Sequence, residues 1–216
     1  MALEPLKRLF GDSAKPFTFF SMRPFAEKEK GKVGSYRLGR WPEEKGRLRA
    51  ATYANPEGFI EVTRENADTK VSEHFRLRDF ITHDQQNVWP KYLVLREPLL
   101  DKLELIIDEL NARGVPATRL RVMSGFRSPQ YNERGVGRRG GRARDSRHQY
   151  GDAADVFLDE DGDGKMSTRD LLKLAAAAEA VERKYPELVG GIGKYRATRT
   201  RSAWVHVDVR GQRARW

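Results

Sequence analysis

The 216-residue chain has no cysteine. That excludes disulfides and thiolate metal sites, so a transition-metal site here has only imidazole and carboxylate to draw on. No run approaches the roughly 20 apolar residues of a membrane span. Met1 to Phe20 lacks the basic, apolar, small-residue order of a secretory leader. Either the protein stays inside, or a leader was removed, or export takes another route. No internal repeat is present. Against these absences stand 41 Lys+Arg and 31 Asp+Glu, a net charge of +10, with 38% hydrophobic and 33% charged residues. The length suffices for one domain with a small appendage. The charge allows anionic partners such as nucleic acid, acidic wall polymers or a membrane surface, and equally a basic surface with no partner.

Residues 1–70 read as a small β-rich section. Lys15 to Phe20 suits a short strand, and Arg47 to Thr63 alternates around the turn signal Asn55-Pro-Glu-Gly58, which predicts a hairpin. Ser72 to Phe80 reads as a short amphipathic helix with Phe75 and Phe80 inward. His74 and His83, near it, read as structural or surface histidines. From Arg96 to Gly114 the apolar residues Leu99, Leu103, Ile106, Ile107 and Leu110 recur at helical spacing, with Pro98 in the first turn and Gly114 as the stop. Thr118 to Met123 is a strand leading into the turn Ser124-Gly-Phe-Arg-Ser128. Glu133 to Arg147 is Gly- and Arg-rich without periodicity and is expected to be a mobile loop. It lacks the interleaved aromatics of a specific nucleic-acid module. Ala153 to Leu158 is a buried strand, and Gly190 to Tyr195 and Ala203 to Val209 read as the two strands of a hairpin or as neighbouring strands.

The chain is organised around Ser146-Arg-His-Gln-Tyr-Gly-Asp-Ala-Ala-Asp155. It offers the imidazole of His148 and the carboxylate of Asp155, separated by small residues. A second imidazole, His206, lies in the strand Trp204 to Val209. Two histidines and a carboxylate form the three-ligand set of a catalytic zinc, with water in the fourth position. Residues i and i+2 of a strand share a face, so Asp208 points with His206. Spacing alone leaves a zinc site and buried, hydrogen-bonded core histidines as equal readings.

A second constellation is Asp159-Glu-Asp161-Gly-Asp163-Gly164-Lys165-Met-Ser-Thr-Arg-Asp170. It follows the calcium-loop template, with carboxylates at positions 1, 3, 5 and 12, Gly at 6 and the Lys165 carbonyl at 7. Position 12 is Asp rather than Glu. Ser167 and Asp170 also form a capping box for a helix from Leu171 to Lys184. An acidic turn before a capped helix explains the same letters, so both readings stand. As a calcium site, it would pin the strand of Asp155 to that helix.

Several motifs in order, Ser124-Gly-Phe-Arg-Ser-Pro-Gln-Tyr-Asn132, Ser146-x-His-x-x-Gly-x-Ala-x-Asp155, Gly191-Ile-Gly193 and Trp204-Val-His-Val-Asp-Val-Arg-Gly211, resemble the M15 family of zinc peptidases. That family includes D-Ala-D-Ala carboxypeptidases, L-alanyl-D-glutamate endolysins and relatives of the hedgehog domain; this chain is most similar to the branch whose last motif is His-x-Asp. The resemblance covers about residues 71 to 216. It implies an α+β fold with a central, mainly antiparallel sheet and flanking helices, with the acidic loop as an insertion at 159–170; the β-rich section of residues 1–70 lies outside the resemblance. It implies zinc on His148, Asp155 and His206, Arg127 on the substrate carbonyl oxygen, and Ser146 supporting the first ligand or binding substrate. The general base departs from the family: Ala203 stands three residues before the last His and Trp204 two before it. Asp208 is the nominee, as base or as a partner orienting a ligand, with Asp152 behind it. The implied activity is hydrolysis of D-amino-acid-containing peptides of bacterial peptidoglycan, as carboxypeptidase or endopeptidase, in the periplasm or cell wall if a leader was removed. The alternative is a degenerate zinc-containing module that binds wall peptides or a protein partner.

Overall fold

The computed structural model describes residues 20–47, 50–116, 120–137, 141–199 and 201–216. Its elements in chain order are β1 (Met22–Pro24), β2 (Lys32–Val33), β3 (Tyr36–Arg37), β4 (Gly58–Val62), β5 (Lys91–Leu93), α1 (Glu97–Ala112), β6 (Leu120–Ser124), α2 (Pro129–Glu133), β7 (Ala153–Leu158), α3 (Thr168–Lys184), β8 (Gly191–Tyr195), β9 (Trp204–Asp208) and β10 (Ala214–Arg215). The fold is α+β. A five-stranded sheet runs β10-β8-β9-β7-β6, antiparallel except where β10 lies parallel to β8. A second sheet runs β1-β4-β5. No helix among the described residues is long and apolar enough to cross a membrane.

Period-two alternation gives the large sheet two unlike faces. Ala154, Val156, Leu158, Ile192, Val205 and Val207 turn to one side and join the hydrophobic core with Leu99, Leu103, Ile106 and Ile107 of α1 and Leu171, Leu174 and Val181 of α3. Helix α3 adds Ala175, Ala177 and Ala178 to its buried face, small residues that let it lie close. The strands are therefore packed from behind, with Asp155, His206 and Asp208 on the opposite face of the sheet.

The described residues of the N-terminal section, 20–47 and 50–70, pack against the rest of the chain. Strand β5, beyond residue 70, completes the sheet of β1 and β4. Phe25, Trp41 and Phe59 pack at ring distances of 5.6–5.7 Å, and the Trp41 indole N–H donates to the Gln149 carbonyl at 2.9 Å. The section thereby buttresses the turn that carries His148.

Two local expectations need correction. Arg47 to Thr63 is not a hairpin: it holds a 3-10 turn at Ala51–Tyr53 and one strand, β4, whose neighbours come from Met22–Pro24 and Lys91–Leu93. The backbone before the turn signal is held elsewhere, because Thr52 O accepts from Arg147 at 2.7 Å. Ser72 to Phe80 forms only the 3-10 turn Leu77–Phe80, although Phe75 and Phe80 are buried and meet edge to face. The strand expected at Lys15 to Phe20 lies almost wholly outside the described residues. In the Arg-rich segment, Val136 bridges to Arg142, and the Arg142 guanidinium sits 4.3 Å over the Tyr131 ring.

Candidate active site

His148 occupies the 3-10 turn Arg147–Tyr150, which ends at Gly151 with φ 69°. A side chain at Gly151 would collide with the Val94 carbonyl, so the turn can close only on glycine. From this turn His148 points to the end of β7, where Asp155 stands, and to His206, which pairs with Asp155 across β7 and β9. His148 Nε2 lies 3.2 Å from Asp155 Oδ1 and 3.2 Å from His206 Nδ1; His206 Nδ1 lies 3.0 Å from Asp155 Oδ1. All three residues are buried.

The tautomers are fixed from behind. His148 Nδ1 is 2.7 Å from the Gly125 carbonyl, which can only accept, so Nδ1 carries the proton and the Nε2 lone pair faces the triangle. His206 Nε2 is 3.0 Å from Asp208 Oδ2, and the same logic frees Nδ1. A metal bound through nitrogen and oxygen at about 2.0–2.1 Å sets tetrahedral donors about 3.3–3.4 Å apart. The observed triangle is within a few tenths of an ångström of that spacing. Two imidazoles aimed at one carboxylate oxygen, each backed by an acceptor, fit a divalent ion.

The electrostatics agree. Burial pushes the His148 imidazole down to about 4, against the pull of Asp155; it is a neutral donor at neutral pH. Burial disfavours the Asp155 carboxylate, but His148, His206 and Arg127 outweigh it and hold its pKa well below the usual range. Burial also opposes charge on His206, yet its bonds to Asp155 and Asp208 prevail and raise it.

Arg127 follows the turn after β6. It pairs with Asp155 Oδ2, and its Nε donates to Ser124 Oγ at 2.9 Å. Ser146 is buried at the start of the His148 turn, with its carbonyl accepting from Gln149 N–H at 3.1 Å. Both line a cleft of about 810 Å³ that opens over the triangle. Asp208 is in a different position. Its carboxylate is fully buried behind His206, bonded to Gly191 N–H at 2.8 Å and to Arg210 N–H and Nε at 3.1 and 2.9 Å, and it does not line the cleft. Asp152 pairs with Arg147 and likewise lies away from the cleft lining.

Among the described residues, Asp145 and Asp155 are the only acidic side chains lining the cleft. The sequence reading passed over Asp145, though it directly precedes the Ser146-x-His148 motif. It also missed the aromatic side of the cleft, Tyr195 and Trp216. His74 and His83 stay outside the site; His74 Nδ1 pairs with Glu104 at 2.6 Å.

In the acidic loop, Asp159, Asp161 and Asp163 bring carboxylate oxygens within 4.8 Å of one another. Asp159 accepts from Gly162 and Gly164 N–H at 2.8 and 3.1 Å, and Lys165 N–H donates to Asp163 at 2.8 Å. Asp170 is not in that group; it accepts from Ser167 N–H at 2.9 Å while Ser167 Oγ accepts from Asp170 N–H, the reciprocal cap of α3.

On this α+β fold, two imidazoles and a carboxylate on one sheet face form a donor set that could hold a metal ion. Residues 66–216 match the family model Peptidase M15_2, described as peptidoglycan L,D-endopeptidase MepK, and the chain belongs to this family. No curated protein matches the chain.

Proposed function

We propose that the protein is a zinc-dependent endopeptidase that hydrolyses peptide bonds in the D-amino-acid-containing stem peptides or cross-links of bacterial peptidoglycan, outside the cytoplasm. The observation that carries this reading is the triangle of His148, Asp155 and His206 at the floor of a peptide-sized cleft, in a chain of a family described as a peptidoglycan endopeptidase. That description favours the endopeptidase over the carboxypeptidase.

When bound, the metal supplies Lewis acidity and lowers the pKa of water. His148, Asp155 and His206 would hold it, their Nε2, Oδ1 and Nδ1 atoms already facing one another. Asp208 acts by orientation: its carboxylate keeps the His206 proton on Nε2, and with its oxygens already engaged by Gly191 and Arg210 it does not exchange protons with substrate. Arg127, at the cleft edge of the triangle, stabilises negative charge developing on the scissile carbonyl oxygen. Asp145 takes the proton from the attacking water and passes it to the leaving amine. Ser146 lines the substrate path beside it. In the acidic loop, Asp159, Asp161 and Asp163, with the Lys165 carbonyl, form a structural calcium site; Asp170 contributes by capping α3.

Digestion of purified peptidoglycan with metal-loaded protein, followed by mass spectrometry, tests the activity. The reading requires new products cut within the stem peptides or cross-links, blocked by chelator. Metal-loaded protein that leaves peptidoglycan intact would refute it.

A further inference from the structure

The face of the β8–β9 ladder that carries His206 also carries an aromatic group with no part in the metal triangle. Register sets Gly193 opposite His206 and Tyr195 opposite Trp204, so these four positions share one face. Tyr195 and Trp204 stack with ring centroids 4.5 Å apart and planes 7° from parallel. Strand β10 then returns alongside β8, where Lys194 N–H donates to the Trp216 carbonyl at 2.8 Å. This places the Trp216 ring 5.3 Å from the His206 ring. Gly193 makes the seat: any side chain there would run into the indole, and a Cβ at Gly191 would meet the same ring at 3.0 Å. Gly193 thus leaves room for the tryptophan beside a metal-site histidine, while Gly191 chiefly leaves room for the Asp208 carboxylate, which its Cβ would meet at 2.4 Å.

The Trp216 indole N–H donates to Tyr195 Oη at 2.7 Å. An indole nitrogen cannot accept, so the direction is fixed and the tyrosine hydroxyl keeps its own proton to give. Trp216 remains 46% exposed, and Tyr195, Trp204 and Trp216 all line the cleft. A large aromatic surface with an oriented donor, open to the cleft beside the triangle, is suited to being covered by a bound chain.

We infer that Tyr195 and Trp216 form the substrate-binding wall of the cleft, in which Trp216 positions the Tyr195 hydroxyl to donate to an acceptor oxygen of the bound peptide. Trp216 is a positioning residue, and Tyr195 touches substrate. The inference rests on the peptidase reading, and the test separates the two.

The probe is a disaccharide-peptide dimer released from peptidoglycan by muramidase, offered to metal-loaded protein carrying Tyr195→Phe, Trp216→Phe or both. A net hydrogen bond corresponds to roughly a 3- to 10-fold effect. Each single variant is expected to raise KM by about that factor with kcat within about twofold. The double variant should be no worse than the worse single, because both remove one coupled unit. Metal content should be unchanged in all three. Unchanged KM, additive losses in the double variant, or loss of metal would each overturn the inference. If wild-type protein fails to cut the dimer, the peptidase reading falls, and calorimetric binding of the same dimer still decides the wall. Weaker binding in the variants supports it, and equal binding sinks it.

Discussion

Replacing Asp208 by Asn separates orientation from proton transfer. The Asp208 carboxylate accepts from Gly191 N–H, Arg210 and His206, so every neighbour is a donor. An amide must present one NH2 group to that ring of donors. Turned toward His206, it would favour the tautomer with the proton on Nδ1, which blocks the nitrogen that faces Asp155. Turned toward Gly191 and Arg210, it leaves two donors without an acceptor. Loss of such an outer partner weakens metal binding by about 10- to 100-fold, equivalent to about 1.4–2.7 kcal/mol. The assay is competitive metal titration against a chromophoric chelator, paired with kcat at saturating metal. Orientation predicts weaker binding and a kcat that largely recovers once metal saturates. Unchanged affinity with a kcat that stays depressed at saturating metal would make Asp208 the base and refute the reasoning.

The pH dependence of metal binding has a defined sign. Burial opposes charge on His206, but Asp155 and Asp208 raise its pKa above the ordinary value of 6.5, so metal must displace a proton below that point. Affinity measured by titration should fall about tenfold per pH unit below the His206 pKa and level off above it; a pH-independent affinity would contradict this. His148, held down to about 4 by burial, adds no competition until far more acidic pH. Asp145→Asn should lower kcat by about 10²- to 10⁴-fold while metal content is retained; wild-type turnover would remove Asp145 from the mechanism. Lys102 is fully buried on α1 and donates to Glu182 at 2.6 Å, Leu188 O at 3.1 Å and Asp208 O at 2.7 Å. Lys102→Ala would strand these partners and should cost about 3–5 kcal/mol in urea unfolding, whereas a cost under about 1 kcal/mol would show the network to be dispensable.

What the sequence made legible was local in the chain. Helix α1 follows from five apolar residues at helical spacing, and β7, β8 and β9 from short apolar runs bounded by turns. The three presumptive ligands were visible because the two motifs carrying them are compact, although only the fold brings His206 across to Asp155. The hairpin expected at 47–63 failed because three-residue strands carry almost no pattern and β4 pairs with segments remote in sequence. Lys102 falls at helical spacing between Leu99 and Ile106, yet nothing local announces that Glu182 and two carbonyls wait for it. Gly191-Ile-Gly193 was legible as a motif, but its physical reasons, room for the Asp208 carboxylate at Gly191 and for the Trp216 indole at Gly193, depend on β9 and on the parallel return of β10. Asp208 read equally as base or as partner, and only its burial behind His206 separates the two geometries.

The central claim is that His148, Asp155 and His206 together hold a divalent ion. The most direct measurement is elemental analysis of protein purified without chelator and after reconstitution, with His148→Ala as the control. The account predicts about one zinc per chain, lost in the variant while the fold is retained by circular dichroism. Zinc absent after reconstitution, or retained undiminished in His148→Ala, would contradict it.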